Sequence, residues 1–249
     1  MKRIILLILL AIVIGHVDAQ MVRVAAAANL RYVLEEIKKQ YEAENSPARI
    51  DITFGSSGTL TQQILSGAVF DLFMAADVDF PQKIADSGFA AGEVKTYIYG
   101  KLVLWSLTLD VSGGLQTVTL PTVKKIAIAN PKGAPYGESA LELLKNQGLY
   151  DTVSDKIVWG DNISQAAQFA FSGNAELGFI ALSLALAPDM KSKGKYYVFP
   201  KEICPPLEQA CVLIKGSEKN SEASKFMNYI TNDKCDHLWT EYGYGLVKK

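Results

Sequence analysis

The chain has 249 residues, 49% hydrophobic and 20% charged, and 25 Lys and Arg against 26 Asp and Glu leave a net charge of −1. That length suits one large domain or two small ones, the apolar content excludes a disordered chain, and the near-neutral balance provides no basic surface for nucleic acid. Three cysteines exclude a disulfide scaffold, and two histidines argue against a multi-histidine metal site.

Lys2 and Arg3 precede an unbroken apolar run of 11 residues, Ile4 to Ile14, and Val17-Asp18-Ala19 then reads as a small-residue cleavage site before Gln20. The run falls short of the roughly 20 residues that span a bilayer. Residues 1–19 are therefore expected to be a cleaved export signal. With no cysteine at the cut, the expected product is a soluble extracytoplasmic protein and not a lipid-anchored one. The remaining chain would carry 23 Lys and Arg, 25 Asp and Glu, and His237 as its one histidine.

Met21 to Ala28 is a short Val- and Ala-rich run that reads as a buried strand, and Leu30, Val33, Leu34, Ile37 and Tyr41 then recur at helical spacing from Asn29 onward. Ile50 to Phe54 alternates as a second strand, Gly55-Ser56-Ser57-Gly58-Thr59 is a turn, and Leu60, Ile64 and Leu65 continue as a helix. Phe70 to Ala75 and Pro81 to Asp86 make a third strand and helix. This βαβαβα order implies a mostly parallel sheet covered on both faces. A long β-rich run, Tyr97 to Ser106, interrupts the alternation. Strands are expected at Lys125 to Asn130, Lys156 to Gly160 and Ala175 to Ala181, with a turn over Pro131 to Gly137 and helices at Ser139 to Gln147 and Asp161 to Phe171. Tyr196 to Pro200 and Ala210 to Lys215 read as strands, Ser221 to Asp233 as a helix, and Lys234 to Tyr242 as a second helical stretch after a break. Two half-size α/β lobes with more than one crossing fit this order better than one sheet.

Several strands end at small polar residues that open a helix: Asn29, Ser56-Ser57 and Asp161-Asn162-Ile163. Ligands of open α/β sheets sit beyond the carboxyl ends of the strands. A helix N-terminus there offers unpaired N–H groups and about half a positive charge, which makes an anion site without a cationic side chain. Singly, each such residue reads as an ordinary N-cap; three at equivalent ends favour a site. Catalytic readings are weaker. Thr59 stands where the nucleophile elbow G-x-S-x-G needs glycine, and the one retained base, His237, lies in an aromatic context near the chain end. Asp77 and Asp79 read as turn and capping residues. No phosphate-loop pattern occurs, and the spacings among Cys204, Cys211 and Cys235 match no zinc motif. They leave open a Cys204–Cys211 bridge, a Cys211–Cys235 bridge, or three buried thiols.

The segments Val22 to Leu30, Phe54-Gly55-Ser56-Ser57-Gly58-Thr59-Leu60, Gly67-Ala68 and Asp71-Leu72-Phe73-Met74-Ala75-Ala76-Asp77 resemble, in order, blocks of the periplasmic molybdate-binding proteins, the receptors of molybdate ABC transporters. Asn130-Pro131, Pro135, Gly137, Ala140-Leu141, Leu177 to Ile180 and Tyr242-Gly243 extend the resemblance over nearly all of the exported chain. It implies a type II periplasmic-binding-protein fold: two α/β lobes, each a mixed sheet flanked by helices, with the ligand cleft between them. Residues 20–98 would form the first part of lobe 1, 99–205 lobe 2, and 206–249 a return segment to lobe 1. It implies a periplasmic, non-enzymatic monomer without cofactor that passes molybdate or tungstate to a membrane permease.

Carried over residue by residue, the contacts to the oxygens of the ion fall on Asn29 and Ser57 in the first lobe and on Tyr136 and Ile163 in the second, Ile163 through its backbone N–H. The metal itself would take no protein ligand. Asn29 stands where serine is common, Ala181 where many members have a binding tyrosine, and Tyr136 where many have alanine. The Tyr136 hydroxyl is expected to compensate for the one absent at Ala181. Uncharged donors suit a desolvated dianion, because bonds to a charged partner are roughly twice as strong as neutral ones and no buried cation needs desolvating. Selection then follows cavity size, which disfavours the smaller sulfate; a protonated phosphate brings a proton that an all-donor site cannot accept. The alternatives are a type II receptor for another oxyanion such as sulfate and, more remotely, a secreted α/β hydrolase.

Overall fold

The computed structural model describes residues 21–248, so the export segment at 1–19 lies outside the described residues. The strands are β1 (Met21–Ala27), β2 (Arg49–Gly55), β3 (Leu72–Met74), β4 (Lys95–Gly100), β5 (Leu102–Ser106), β6 (Ile126–Ala129), β7 (Ile157–Gly160), β8 (Leu177–Ala181), β9 (Lys195–Val198), β10 (Leu207–Leu213) and β11 (Gly245–Leu246). The helices are α1 (Arg31–Glu44), α2 (Ser57–Leu65), α3 (Asp79–Asp86), α4 (Pro135–Asn146), α5 (Tyr150–Val153), α6 (Ile163–Phe171), α7 (Leu182–Ala185), α8 (Ser221–Thr231) and α9 (Asp236–Glu241).

They build two mixed sheets. The first runs β11-β4-β10-β3-β1-β2 and the second β7-β6-β8-β5-β9. In the first, β1 pairs in parallel with both β2 and β3, while β10 is antiparallel to β3 and β4. In the second, β6 is parallel to β7 and β8, and β5 is antiparallel to β8 and β9. The β-rich run near Tyr97 is thus two strands in different sheets, separated by Lys101. The chain crosses from the first sheet to the second there, and returns between Val198 and Leu207.

The central strands are small and apolar because helices cover both faces: Val22, Val24, Ala25 and Ala26 of β1 and all of β6 are buried. The three cysteines are buried thiols, Cys211 donating to Lys95 O and Cys235 to Tyr229 O. No helix among the described residues is long and apolar enough to cross a membrane.

Three boundaries differ from expectation, each for a local reason. The chain leaves β1 through a 3-10 turn, Ala28–Leu30, before α1 starts at Arg31, so Asn29 lies inside a turn and does not cap a helix. Helix α4 starts at Pro135, within the segment expected to be a turn; proline at the first helical position has its φ set for a helix and lacks only an N–H that would be orphaned anyway. The C-terminal segment divides into α8, a short 3-10 turn and α9, with the Asn232 side chain accepting from Lys234 N at the break.

Candidate functional site

The carboxyl ends of β1, β2, β3, β6 and β7 are followed by the residues that line one small pocket: Asn29, Ser57, Ala76, Tyr136 and Ile163 are all in its wall. The four residues carried over from the resemblance therefore come together, two after strands of the first sheet and two after strands of the second. Ala181 is buried at the end of β8 and is not in the pocket lining.

Three helices begin at this pocket. For α2, Ser56 is the N-cap, extended at φ −73° and ψ 147°, and its side chain accepts from Thr59 N. That leaves Ser57, the first helical residue, to face the pocket. Its Oγ accepts from Ala76 N at 3.0 Å, so its own proton is left to donate. For α6, the Asn162 side chain accepts from Ser164 N and Gln165 N, so this cap does not take the N–H of Ile163. For α4, Ala134 at the N-cap position has no side chain to cap with, and Tyr136 is the second helical residue. The first-turn N–H groups of Ser57, Tyr136 and Ile163 have no intrahelical acceptor by the geometry of a helix. Aligned peptide dipoles add partial positive charge at the same place. Gly137 seats α4 against β6: a Cβ there would lie 2.0 Å from Ala129 O.

Behind the pocket lies a buried polar chain. Asn29, 1% exposed, donates from Nδ2 to Gln209 Oε1 at 3.0 Å and to the Tyr244 hydroxyl at 2.9 Å. Gln209, fully buried on β10, donates from Nε2 to the Tyr136 hydroxyl at 3.0 Å. Asn29 O accepts from Tyr244 and from Ser183, each at 2.9 Å. Asn29 Oδ1 is buried with no hydrogen-bond partner. The Tyr136 hydroxyl accepts from Gln209, which leaves its own proton to give. Burial chiefly, then the neighbouring Tyr244, pushes the Tyr136 hydroxyl well above its ordinary range, and Tyr244 is raised by burial in the same way. Both stay protonated at any physiological pH. Gln209, Tyr244, Ser183 and Ala76 were not singled out from the sequence as site residues; a glutamine immediately before the apolar run Ala210 to Leu213 was the available signal, since a buried amide needs partners.

The two sheets meet around this pocket through hydrogen bonds. Gly58 N donates to Gly133 O at 2.9 Å, and Ser164 Oγ donates to Ala28 O at 3.0 Å. Ser183 to Asn29 and Gln209 to Tyr136 also join the two sides. Beside the pocket, sharing Ser56 with it, is a wider cleft of about 570 Å3 whose wall includes Lys83, Lys132 and Asp161. No cluster of His, Cys, Asp or Glu suited to a metal ion occurs among the described residues. His237 is exposed on α9, outside the pocket wall.

A family model described as bacterial extracellular solute-binding protein matches residues 22–245. The chain belongs to that family. It is 36% identical to the molybdate-binding protein ModA of Azotobacter vinelandii, over 92% of this chain and 91% of that one, and 34% identical to ModA of Rhodobacter capsulatus, over 88% and 86%. Among solved structures it is similar to the A. vinelandii periplasmic molybdate-binding protein, with a TM-score of 0.84 at 32% identity over 91% of this chain and all of that one. The sulfate-binding protein SubI of Mycobacterium tuberculosis, at 13% identity and a TM-score of 0.77, shares the fold alone. The two-lobed α/β architecture of this family of solute-binding proteins is thereby shown.

Proposed function

We infer that this protein captures molybdate, and tungstate as well, outside the cytoplasm and delivers it to an ABC permease. The observation that carries the reading is the convergence of three helix N-termini on one pocket without any cationic side chain in its wall. Such a set of helix ends offers N–H donors without a fixed cation, which is what a fully ionised tetrahedral dianion needs. Similarity to molybdate-binding relatives at more than 30% identity over nearly the whole chain supports the choice of ion.

The oxygens of the ion would be held by the Ser57 hydroxyl and N–H, by the first-turn N–H groups of Tyr136 and Ile163, and by Asn29. The two lobes would close on it as rigid units, bending where the chain crosses at Lys101, two residues beyond the boundary at 98/99 expected from the sequence, and between Val198 and Leu207. The closed surface is what the permease would read. The same reading places the mature chain in the periplasm after removal of residues 1–19, as a monomer that binds and releases without reacting.

A thermal-shift panel with molybdate, tungstate, sulfate and phosphate tests it. A ligand at 100 times its Kd adds about 2.7 kcal/mol of stability. The expected result is a rise in Tm with molybdate and tungstate and little with the other two. No shift with the first pair would overturn the reading.

A further inference from the structure

The polar chain behind the pocket has a direction, and the direction decides which residue can serve an anion. Gln209 meets Asn29 with its oxygen and Tyr136 with its nitrogen. In that direction Nδ2 of Asn29 is engaged by Gln209 and Tyr244, and Oδ1, the acceptor, is the atom left buried without a partner. A buried acceptor without a donor is costly, and beside an anion it is worse than useless.

The two ends of an amide have the same shape, so both amides can turn over without moving the backbone. Tyr136 would then donate its proton to Gln209 Oε1, and Gln209 Nε2 would donate to Asn29 Oδ1. Tyr244 can turn its proton to the same Oδ1, because Asn29 O keeps the Ser183 hydroxyl as donor. Nδ2 of Asn29 comes to the place where Oδ1 now has no partner, with an N–H to give. Because each end of Gln209 serves one neighbour, the chain sends a donor out at Asn29 or at Tyr136, never at both.

We propose that Gln209 is a positioning residue that relays hydrogen-bond direction from Tyr136 to Asn29, so that the bound oxyanion receives an N–H from Asn29. This rests on the reading of the pocket as an oxyanion site. It also gives the cross-lobe Gln209–Tyr136 contact a role: the lobe that carries Tyr136 must be closed for Asn29 to be set as a donor. The fit at this junction is close, since a Cβ on Gly100 would lie 2.1 Å from the Tyr136 hydroxyl and 2.3 Å from Gln209 Nε2.

A double-mutant cycle on molybdate affinity tests the relay. Tyr136→Phe alone is expected to weaken binding roughly tenfold, and in a Gln209→Met background by less than about threefold, because the hydroxyl acts only through Gln209. Equal costs of Tyr136→Phe in both backgrounds would mean that the hydroxyl touches the ion itself, and would overturn the relay; so would no cost in either. The wild-type protein supplies a second readout independent of any variant's folding. On adding molybdate, the side-chain amide proton resonances of Gln209 should shift as their acceptor changes from an oxygen of Tyr136 to one of Asn29, and unmoved resonances would overturn the proposal. Failure of the wild type to bind molybdate would instead remove the underlying functional reading, which separates the two outcomes.

Discussion

Asp77 sits one residue beyond Ala76, whose N–H fixes Ser57, and its carboxylate accepts from Phe80 N. Burial chiefly, then the nearby negative charges of Asp79 and of Glu138 from α4, pushes it up to about 6, against the counteracting Phe80 bond. The folded protein therefore holds this proton more tightly than the unfolded chain, whose value is near 4. Stability falls as pH rises from about 4 to about 6 and is flat above, the sign opposite to that of a salt-bridged carboxylate. Asp77→Asn keeps the acceptor for Phe80 and removes the charge. In denaturant titrations its gain over wild type should be absent near pH 4, grow to about pH 6, and reach at most about 3 kcal/mol before solvent screening reduces it. A gain independent of pH would show that Asp77 is not the titrating group. At this scale the sequence was legible where a side chain acts locally: Ser56-Ser57 was visibly a helix start. It did not show that one serine caps and the other faces the pocket. That is decided by Ala76 N, which lies just beyond a different strand, β3. Gln209 was less legible still, because its partners lie 180 and 73 residues away in sequence.

A helix start can be tested apart from the side chains it carries. Ile163 is the first residue of α6, preceded by Asn162 at φ −152° and ψ 175°. Proline is tolerated at the first helical position and favours an extended residue before it. Ile163→Pro thus keeps α6 and deletes one N–H, whereas Ile163→Ala keeps the N–H and deletes much the same buried side chain. Calorimetric titration with molybdate should show Ile163→Pro weaker than Ile163→Ala by roughly 10- to 100-fold, the value of one bond to a charged partner. Equal affinities would mean that this N–H does not meet the ion. The alternation of strands and helices was readable because buried parallel strands are short apolar runs and their helices are amphipathic. Helix α4 was placed too late: the run Pro131 to Gly137 is rich in turn formers, and Pro135 reads as a turn residue unless its preference for the first helical position is weighed. The split of Tyr97 to Ser106 between two sheets came only through the resemblance, whose lobe boundary at 98/99 falls two residues before β4 ends, because both strands are apolar and only long-range pairing distinguishes them.

Net charge cannot be what draws an anion into this molecule, since the exported chain would be negative overall. Lys83 and Lys132, exposed in the wall of the wider cleft, outnumber Asp161 there and would give a local positive field at its mouth, with neutral donors taking over inside. Holding an ion would then depend on how closely the lobes approach, and Gly58 is one place where backbone meets backbone across them. Its N–H bonds Gly133 O at 2.9 Å, and a Cβ on it would lie 2.7 Å from Gly133 Cα and 3.1 Å from Phe80 Cζ. Gly133 belongs to the loop after β6, in the other lobe, so the 2.7 Å clash exists only when the lobes are together, whereas the tight contact with Phe80 lies within Gly58's own lobe and is relieved by a small shift of the ring tip. Gly58 is also the second residue of α2, where alanine is a better helix former by up to about 1 kcal/mol. Gly58→Ala should therefore move two observables in opposite directions. Without ligand, the Tm should stay level or rise. With molybdate, affinity should fall roughly 10- to 100-fold, because overpacking a close contact costs about 1–3 kcal/mol and that cost is met only on closure. A variant that loses stability without ligand to the same extent would place the clash in the resting state as well, and unchanged affinity would show that the Gly58–Gly133 contact plays no part in holding the ion.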